Sequence, residues 1–255
     1  MTAITSHEST CQGRVALVTG ASGGIGQAIA LALARAGAHV SIGYFRRRER
    51  AEELCHRIEA LGVQALPLQA DLAKAEDAAG LVERTEAAFG RVDILVNNAG
   101  IALAKLLIDT TLEEWEAMMA VHLRGTFACT KAALPGMIRR RFGRIINISS
   151  MWGQVGAANE VAYSTAKAGL IGFTKALAQE VGMCGITVNA VAPGVIDTEM
   201  LADYSPEERA DLVERTPVGR LGTPDDVARI VRWLAEDGSD FVTGQIIAPN
   251  GGIVV

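Results

Sequence analysis

A tyrosine and a lysine four residues apart, Tyr163 and Lys167, are the residues of this chain best suited to proton chemistry. The sequence around them is typical of a helix, and on a helix side chains at positions i and i+4 share one face. An ammonium group about 4 Å from a phenol, at an effective dielectric constant of about 20, stabilises the phenolate by roughly 4 kcal/mol, or about 3 pKa units. We therefore expect Lys167 to lower the pKa of Tyr163 towards neutrality and make it a usable acid.

A glycine-rich segment far upstream, Thr19-Gly-Ala-Ser-Gly-Gly-Ile-Gly26, is the second informative feature. It separates a short apolar run from a helical pattern, and its glycines Gly20, Gly24 and Gly26 permit a tight turn and the close approach of a pyrophosphate. Free N–H groups at the start of the helix favour the same anion. A phosphate turn together with the Tyr–Lys pair predicts a dinucleotide-dependent redox enzyme.

Composition narrows the class of protein. A length of 255 residues suits one large α/β domain, and the net charge of −5 argues against general affinity for nucleic acid. No apolar run approaches the roughly 18 residues of a membrane span, and the polar start is not ordered like a signal peptide. The four cysteines form no CxxC pair, which indicates reduced thiols in a cytoplasmic protein, and the four histidines show no metal-ligand spacing. We expect a flexible N-terminal tail over residues 1–12 and a single domain over 13–255.

Apolar runs alternate with helical patterns along the chain. Strands are predicted at residues 14–19, 39–44, 64–69, 93–96, 144–149, 186–191 and 244–248. Helices are predicted at residues 25–36, 47–61, 74–89, 112 to about 141, 161–182 and 224–235. Strands that are apolar along their length belong to a parallel sheet covered on both faces. The fold class is therefore α/β: one doubly wound, Rossmann-type domain with a mostly seven-stranded parallel sheet.

The motifs together resemble those of the short-chain dehydrogenase/reductase family, and the likeness runs from about Gly13 to Val255. The motifs that carry it are the glycine turn, Asp71-Leu72, Asn97-Asn-Ala-Gly100, Ser150, Tyr163 with Lys167, and Pro193-Gly194. Within that family, four later motifs are most similar to the 3-oxoacyl-[acyl-carrier-protein] reductases: Ala192-Pro-Gly194, Thr198-Glu-Met200, Gly219-Arg-Leu-Gly222 and Asn250-Gly-Gly252. The resemblance implies an NADPH-dependent ketone reductase that assembles as a homotetramer.

The same resemblance implies a cofactor site. Its members would be Gly20, Ser22, Gly24, Ile25, Gly26, Tyr44, Arg46, Arg47, Asp71, Leu72, Asn98, Ala99, Gly100, Tyr163, Lys167, Pro193, Gly194, Ile196 and Thr198. Asp71 would accept a hydrogen bond from the adenine amino group, and Ile196 with Thr198 would hold the nicotinamide carboxamide. Asp71, Asn97 and Pro193 are also ordinary turn formers, so each could simply end its strand.

The end of the second strand bears on the choice of cofactor. It reads Gly43-Tyr-Phe-Arg-Arg-Arg48 and lacks the acid that would bind the ribose 2′-hydroxyl of NAD. The planar guanidinium groups of Arg46 and Arg47 suit a 2′-phosphate, which favours NADP(H) over NAD(H). Gly23 stands where many NADP-using relatives carry a basic residue, and the arginines could instead be a solvated start to the next helix.

The resemblance also implies a catalytic group of Ser150, Tyr163 and Lys167. Ser150 would bind the substrate carbonyl and Tyr163 would donate the proton. Lys167 would lower the pKa of the tyrosine and bind the nicotinamide ribose. The family's usual asparagine is replaced by His122, which could keep the main-chain carbonyl role and add a ring titrating near pH 6.5. His122 could equally be a packed histidine without catalytic duty.

The substrate is less well defined. We expect a mobile lid over residues 198–216 and a cleft wall that includes Met151-Trp152 and Gln154-Val155. Two positions that are commonly arginine in carrier-protein reductases are Pro135 and Gln179 here, and residues 139–141, all arginine, could compensate. A 3-oxoacyl thioester of carrier protein or CoA is expected. Another small ketone or secondary alcohol, or a catalytically impaired dinucleotide-binding protein, stays open.

Overall fold

The computed structural model describes residues 10–202 and 204–255. Within them lie seven strands: β1 (Val15–Val18), β2 (His39–Tyr44), β3 (Ala65–Gln69), β4 (Ile94–Asn97), β5 (Gly143–Ile148), β6 (Ile186–Val191) and β7 (Ile246–Ile247). The α-helices described are α1 (Gly24–Arg35), α2 (Arg48–Glu59), α3 (Ala75–Phe89), α4 (Leu112–Met119), α5 (Gly125–Arg140), α6 (Trp152–Val155), α7 (Val161–Val181), α8 (Pro206–Glu214) and α9 (Pro224–Ala235).

The strands form one sheet in the order β3-β2-β1-β4-β5-β6-β7, and every neighbouring pair is parallel. Alternate residues point to opposite faces: Val18 packs in a cluster with α1, α2 and α9, whereas Leu17 packs in a cluster with α3, α5 and α7. Both faces of the central strands are therefore buried, as their continuous apolar sequence predicts. The predicted fold class is confirmed.

The chain reverses direction across the sheet between β1 and β4, since β2 and β3 lie on one side of β1 and the later strands on the other. In open parallel sheets, the crevice at the carboxyl ends of the strands beside such a reversal is where ligands bind. The loops after β1, β4, β5 and β6 all leave from that edge. The topology thus gathers the motifs from distant parts of the sequence at one place.

The predicted helix over residues 112–141 is interrupted. It consists of α4, one π-helical turn at Ala120–Arg124, and α5. The helical pattern is continuous through the turn, so periodicity alone gives no sign of the interruption. π-turns of this kind occur often at functional sites. The other predicted helices and strands start and end within two residues of their predicted bounds, and the last strand is shortened to Ile246–Ile247.

The packed domain begins earlier than residue 13. Cys11, which the sequence places in the tail, is fully buried, and its backbone N–H donates to the carbonyl oxygen of Ala36 at 2.8 Å. Residues 1–9 of the predicted tail lie outside the described residues. Across residues 10–202 and 204–255, we find no helix with the length and apolar character needed to cross a bilayer.

Candidate active site

The loop after β1 makes a tight turn into α1. Gly20 has a φ of +65°, and a Cβ there would lie 2.7 Å from the Cα of Ala99, so a larger residue does not fit. Gly23 starts α1 without a side-chain hydrogen bond from any described residue, and the first turn carries no acidic residue. By contrast, α4, α8 and α9 start with capping boxes. The first N–H groups of α1 are thus available to an anion, and the turn can hold the pyrophosphate of a dinucleotide.

Asn98, at the carboxyl end of β4, braces this turn. Its Nδ2 donates to the carbonyl oxygens of Thr19 at 2.9 Å and Gly20 at 3.2 Å. The backbone N–H groups of Asn98 and Ala99 donate to the Thr19 hydroxyl at 3.0 and 3.1 Å. The side-chain amide of Asn98 therefore holds the backbone of the glycine turn in place from inside the protein.

Asn97 connects neighbouring strands of the sheet through its side chain. Its Nδ2 donates to Oδ1 of Asn147 on β5 at 2.8 Å, and Nδ2 of Asn147 donates to the Thr174 hydroxyl on α7 at 2.9 Å. All three residues are buried, and hydrogen-bonded polar groups in a core fix relative positions more specifically than apolar contacts do. This series of hydrogen bonds connects the half of the sheet's carboxyl edge that carries the glycine turn to the half that carries Ser150.

The remaining candidates on the adenine side differ in what they offer. Ser22 and Tyr44 are buried, and Ile25 packs against the hydrophobic core, so these three present mainly backbone to the pocket. Oδ1 of Asp71 accepts the backbone N–H of Ala73 at 3.1 Å, which makes it a turn former as well as a candidate acceptor. Leu72 lies against α5, where a Cβ on Gly125 would come within 2.8 Å of its carbonyl oxygen.

The segment after β6 links the two halves of the edge. Met151, next to Ser150, donates its N–H to the carbonyl oxygen of Pro193 at 2.9 Å. Farther on, Ile196 is buried and Thr198 reaches the glycine turn, since a Cβ on Gly24 would lie 3.2 Å from its Cγ2. Gly194 passes close to Asn250, whose Cα would be 2.7 Å from an added Cβ. The segment is placed to contact both ends of a bound dinucleotide.

Ser150, Tyr163 and Lys167 meet just beyond the carboxyl end of β5. The Ser150 side chain lies close enough to the phenol of Tyr163 to lower its pKa, and it accepts the N–H of Trp152 at 3.2 Å. Nζ of Lys167 is buried and donates to the carbonyl oxygen of Ile148 at 2.8 Å. The hydroxyl of the neighbouring Ser149 donates to the carbonyl oxygen of Lys167 at 2.8 Å.

Burial, more than the lysine charge, governs the acidities in this group. Desolvation raises the pKa of Tyr163 to about 12, against a lowering effect of the Ser150 hydrogen bond, and the Glu160 charge raises it further. Desolvation also lowers the pKa of Lys167 to about 7. The expectation that Lys167 brings the tyrosine near neutrality is wrong for this state of the protein, because Nζ bonds to the backbone and its own charge is disfavoured by burial.

His122 lies in the π-helical turn and is almost completely buried. Its Nε2 lies 2.8 Å from the carbonyl oxygen of Ile101 and 3.2 Å from the backbone nitrogen of the same residue, so it donates to the first or accepts from the second according to the tautomer of the ring. Desolvation, aided by the charge of Lys167, lowers the pKa of the ring to about 3. The ring is therefore neutral at physiological pH, and the expectation that it titrates near 6.5 is wrong.

The ring of His122 fits because Gly100 has no side chain. A Cβ on Gly100 would lie 2.4 Å from Cε1 of the imidazole. The ring also meets the ring of Tyr163 edge-on, with centroids 5.8 Å apart. His122 thus connects the loop after β4 to Tyr163. Gly100 makes room for this contact, a role that its place in the Asn97–Gly100 motif did not indicate.

Two charged residues that meet near the end of β2, Arg50 and Glu199, were not predicted from the sequence. Arg50 lies on the first turn of α2, and both Arg50 and Arg47 form ion pairs with Glu199. The spacing of Arg47 and Arg50, three apart on a helix start, was a usable signal, because such residues share a face. Nothing local to Glu199 indicates this contact. Arg46 instead lies over the ring of Phe45, 5.1 Å from its centroid.

Two expectations about the substrate side are corrected. Arg140 donates to the carbonyl oxygen of Val92 at 2.7 Å, and Arg141 donates to that of Met183 at 3.0 Å. Val92 and Met183 precede β4 and β6, so these arginines lie at the amino edge of the sheet, opposite Ser150, and cannot replace basic residues at the cleft. Met151 is buried, so its side chain belongs to the core and leaves the proposed wall to its neighbours.

Comparisons with known proteins agree with this geometry. A family model described as Enoyl-(Acyl carrier protein) reductase matches residues 20–254. The 3-oxoacyl-[acyl-carrier-protein] reductase FabG of Pseudomonas aeruginosa is 46% identical over 95% of this chain and 98% of its own. The 3-oxoacyl-[acyl-carrier-protein] reductase of Synechocystis sp. is 43% identical over 100% of both chains.

Solved structures show the same relationship. A short-chain type dehydrogenase/reductase from Mycobacterium marinum superimposes with a TM-score of 0.90 at 32% identity, covering 97% of this chain and 98% of that one. The chain belongs to the short-chain dehydrogenase/reductase family of oxidoreductases.

Proposed function

We propose that this protein reduces the ketone of a 3-oxoacyl thioester to the alcohol, with NADPH as the reductant and Tyr163 as the acid. The observation that carries the proposal is the meeting of Ser150, Tyr163 and Lys167 at the carboxyl edge of the sheet, with Ser150 close enough to the phenol to lower its pKa and Lys167 buried behind them. A carbonyl oxygen placed between the two hydroxyls would receive both of their hydrogen bonds as negative charge builds on it. Bound in the crevice, the cofactor would supply the hydride.

The raised pKa of Tyr163 suits the reducing direction. A phenol with a pKa of about 12 is fully protonated at neutral pH, so the acid form needed for proton donation is always present. An alkoxide oxygen is a stronger base than a phenolate, so transfer from the phenol is still downhill. The oxidising direction would require the phenolate, which burial disfavours.

Lys167 is placed to restore that proton. With its pKa lowered to about 7, its ammonium group is a far better proton donor at neutral pH than an exposed lysine. Once Tyr163 has given up its proton, the basic phenolate can take one from Nζ, which lies 5.5 Å from the centre of the tyrosine ring. The backbone bond to Ile148 holds Nζ in place beneath the ring.

NADPH is proposed over NADH on account of the loop after β2. Arg47 and Arg50 lie half-exposed beside the adenine end of the crevice, and neither the loop nor the strand end carries an acid. Two guanidinium groups are a strong match for a phosphate dianion.

The substrate class comes from the relatives, two of which are named 3-oxoacyl-[acyl-carrier-protein] reductases. A CoA thioester is the second candidate, because Arg140 and Arg141 are tied to the amino edge of the sheet and Pro135 and Gln179 are uncharged. Either thioester presents the same 3-oxo group to Ser150 and Tyr163.

The test follows NADPH absorbance while the purified protein is offered 3-oxoacyl-CoA, 3-oxoacyl carrier protein and the free 3-oxo acid. Tyr163→Phe should lower kcat by about 10²–10⁴, because the ring stays and only the acid is lost. NADPH binding, measured by calorimetry, should be unchanged.

Thr165→Val is the matched control, since it removes an exposed hydroxyl from the same helix two residues away. A Tyr163→Phe protein that keeps a tenth of the wild-type kcat would refute the assignment. So would a wild-type protein that oxidises NADPH with none of the three substrates.

A further inference from the structure

Arg47 and Arg50, the basic pair at the adenine end of the crevice, already hold an anion from the protein itself. Nη1 of Arg47 and Nη1 of Arg50 bond to different carboxylate oxygens of Glu199. The three side chains are each about half-exposed, at 50%, 45% and 50% for Arg47, Arg50 and Glu199. Each oxygen of the carboxylate therefore has its own guanidinium partner.

The position of Glu199 on the chain makes this contact notable. It opens the 3₁₀ turn Glu199–Leu201, which directly follows the segment that reaches the glycine turn through Thr198. The start of the proposed lid is anchored at its other side by Arg209 of α8, which donates to Asp197 at 2.5 Å and to the carbonyl oxygen of Leu201 at 3.2 Å. Glu199 thus reaches from the lid across the phosphate-binding edge to the loop after β2.

A carboxylate and a phosphate require the same donors from a guanidinium group. They cannot share the pair at close range without like-charge repulsion. We propose that Glu199 is a specificity-determining residue: its carboxylate competes with the 2′-phosphate of NADP(H) for Arg47 and Arg50, so that NADP(H) must displace it and NAD(H) need not. This inference rests on the proposed preference for NADPH and adds the residue that limits it.

The proposed competition predicts the direction in which nucleotide affinity changes when Glu199 is substituted. Removing the charge of Glu199 frees both guanidinium groups, so the affinity for a 2′-phosphate should increase while the affinity for the unphosphorylated nucleotide stays the same. Half-exposed ion pairs are individually weak. For two of them we expect Glu199→Gln to tighten binding by about three- to tenfold, the upper value corresponding to about 1.4 kcal/mol.

The experiment measures binding without turnover. Dissociation constants for adenosine 2′,5′-bisphosphate and for 5′-AMP are determined by calorimetry at one fixed ionic strength. The proteins are wild type, Glu199→Gln, the double variant Arg47→Gln/Arg50→Gln, and Glu207→Gln. Glu207 is a matched control, because it lies on α8 of the same lid and forms no ion pair within residues 10–202 and 204–255.

We expect Glu199→Gln to tighten the bisphosphate alone, the double arginine variant to weaken it tenfold or more, and Glu207→Gln to change neither ligand. Unchanged bisphosphate binding in Glu199→Gln, beside a loss in the arginine variant, overturns the competition and leaves the NADPH preference intact. Unchanged binding in the arginine variant overturns the preference itself. Equal tightening by Glu207→Gln, or weaker binding of both ligands by Glu199→Gln, also rejects the proposed role.

Discussion

At the scale of single residues, burial of the Lys167 ammonium group has a large electrostatic cost. Its ammonium group is buried, and its described hydrogen bond goes to the carbonyl oxygen of Ile148. The pKa of Lys167 is lowered to about 7, compared with about 10.4 for an exposed lysine. Between those values the unfolded chain holds a proton on this residue that the folded chain has lost. Because the unfolded state binds more protons there, the free energy of unfolding rises with pH across this window.

Substitution of Lys167 by Met tests this cost. The wild type should gain stability relative to Lys167→Met by at most about 1.4 kcal/mol per pH unit between pH 7 and 9, because only one proton is involved. Urea unfolding of both proteins at pH 7, 8 and 9 measures the difference. Groups that titrate in both proteins cancel in the comparison, so parallel pH dependences would show that Lys167 is already near its ordinary pKa.

The sequence pointed to Ser150, Tyr163 and Lys167 as a group, but it did not indicate the pKa values of Tyr163 and Lys167. The family resemblance assigned Ser150 by its spacing of thirteen residues from Tyr163, and in the structure the neighbouring Ser149 donates instead to the carbonyl oxygen of Lys167. The pKa of Tyr163 depends on how much protein covers it and on where Nζ of Lys167 points. Neither quantity is present in a four-residue spacing, so the predicted direction was wrong.

At the scale of elements, the π-helical turn Ala120–Arg124 is joined to the loop after β4 by one ring. His122 bonds to Ile101, and its Cε1 occupies the space that a side chain on Gly100 would need. The φ of Gly100 is not in the left-handed region, so an alanine there would fail through overlap alone. The contact is therefore specific to the pairing of a glycine with a histidine.

A double-mutant cycle measures this pairing. Gly100→Ala should destabilise the wild type by about 1–3 kcal/mol through overpacking. In a His122→Asn background the same change should cost less by about 1 kcal/mol or more, because the shorter side chain leaves room for the methyl group. Urea unfolding of the four proteins gives the coupling, and strictly additive effects would contradict the contact.

Most of the helices and strands could be predicted from the sequence. Strands such as β2 and β6 match their predicted bounds because they are buried on both faces along nearly their whole length. The π-helical turn Ala120–Arg124 could not be predicted, since a single five-residue turn is too short for its apolar spacing to be told from that of the α-helices on either side. The ion pairs of Glu199 were equally invisible, because they join residues about 150 positions apart.

At the scale of the whole molecule, apolar surface remains to be covered. Phe241 is 99% exposed, Phe127 on the outer face of α5 is 52% exposed, and the final Val255 is open to solvent. Large exposed apolar groups of this kind mark contacts between proteins. We propose that α5, α7 and the C-terminal end form the interfaces of a closed homotetramer, in line with the resemblance that the sequence shows.

Light scattering at micromolar concentration should give four times the 26.9 kDa monomer mass. Phe127→Glu, which places a charge on α5, should reduce the mass to that of a dimer or monomer. Leu61→Glu, a similar change at an exposed residue after α2, is the control and should leave the mass unaltered. A wild-type monomer would exclude the assembly.

The two ends of the fold meet where residues 10–14 contact the end of α9. Thr10 donates to Glu236 at 2.8 Å and Arg14 to Asp237 at 3.0 Å, contacts that span 226 and 223 positions of sequence. On a ribosome, these partners of the first strand emerge only after nine-tenths of the chain has been made. The face of α1 that packs against α9 stays uncovered until then. During synthesis the apolar face of α1 is therefore made well before the helix that covers it, and exposed apolar surface of this kind is what chaperones bind.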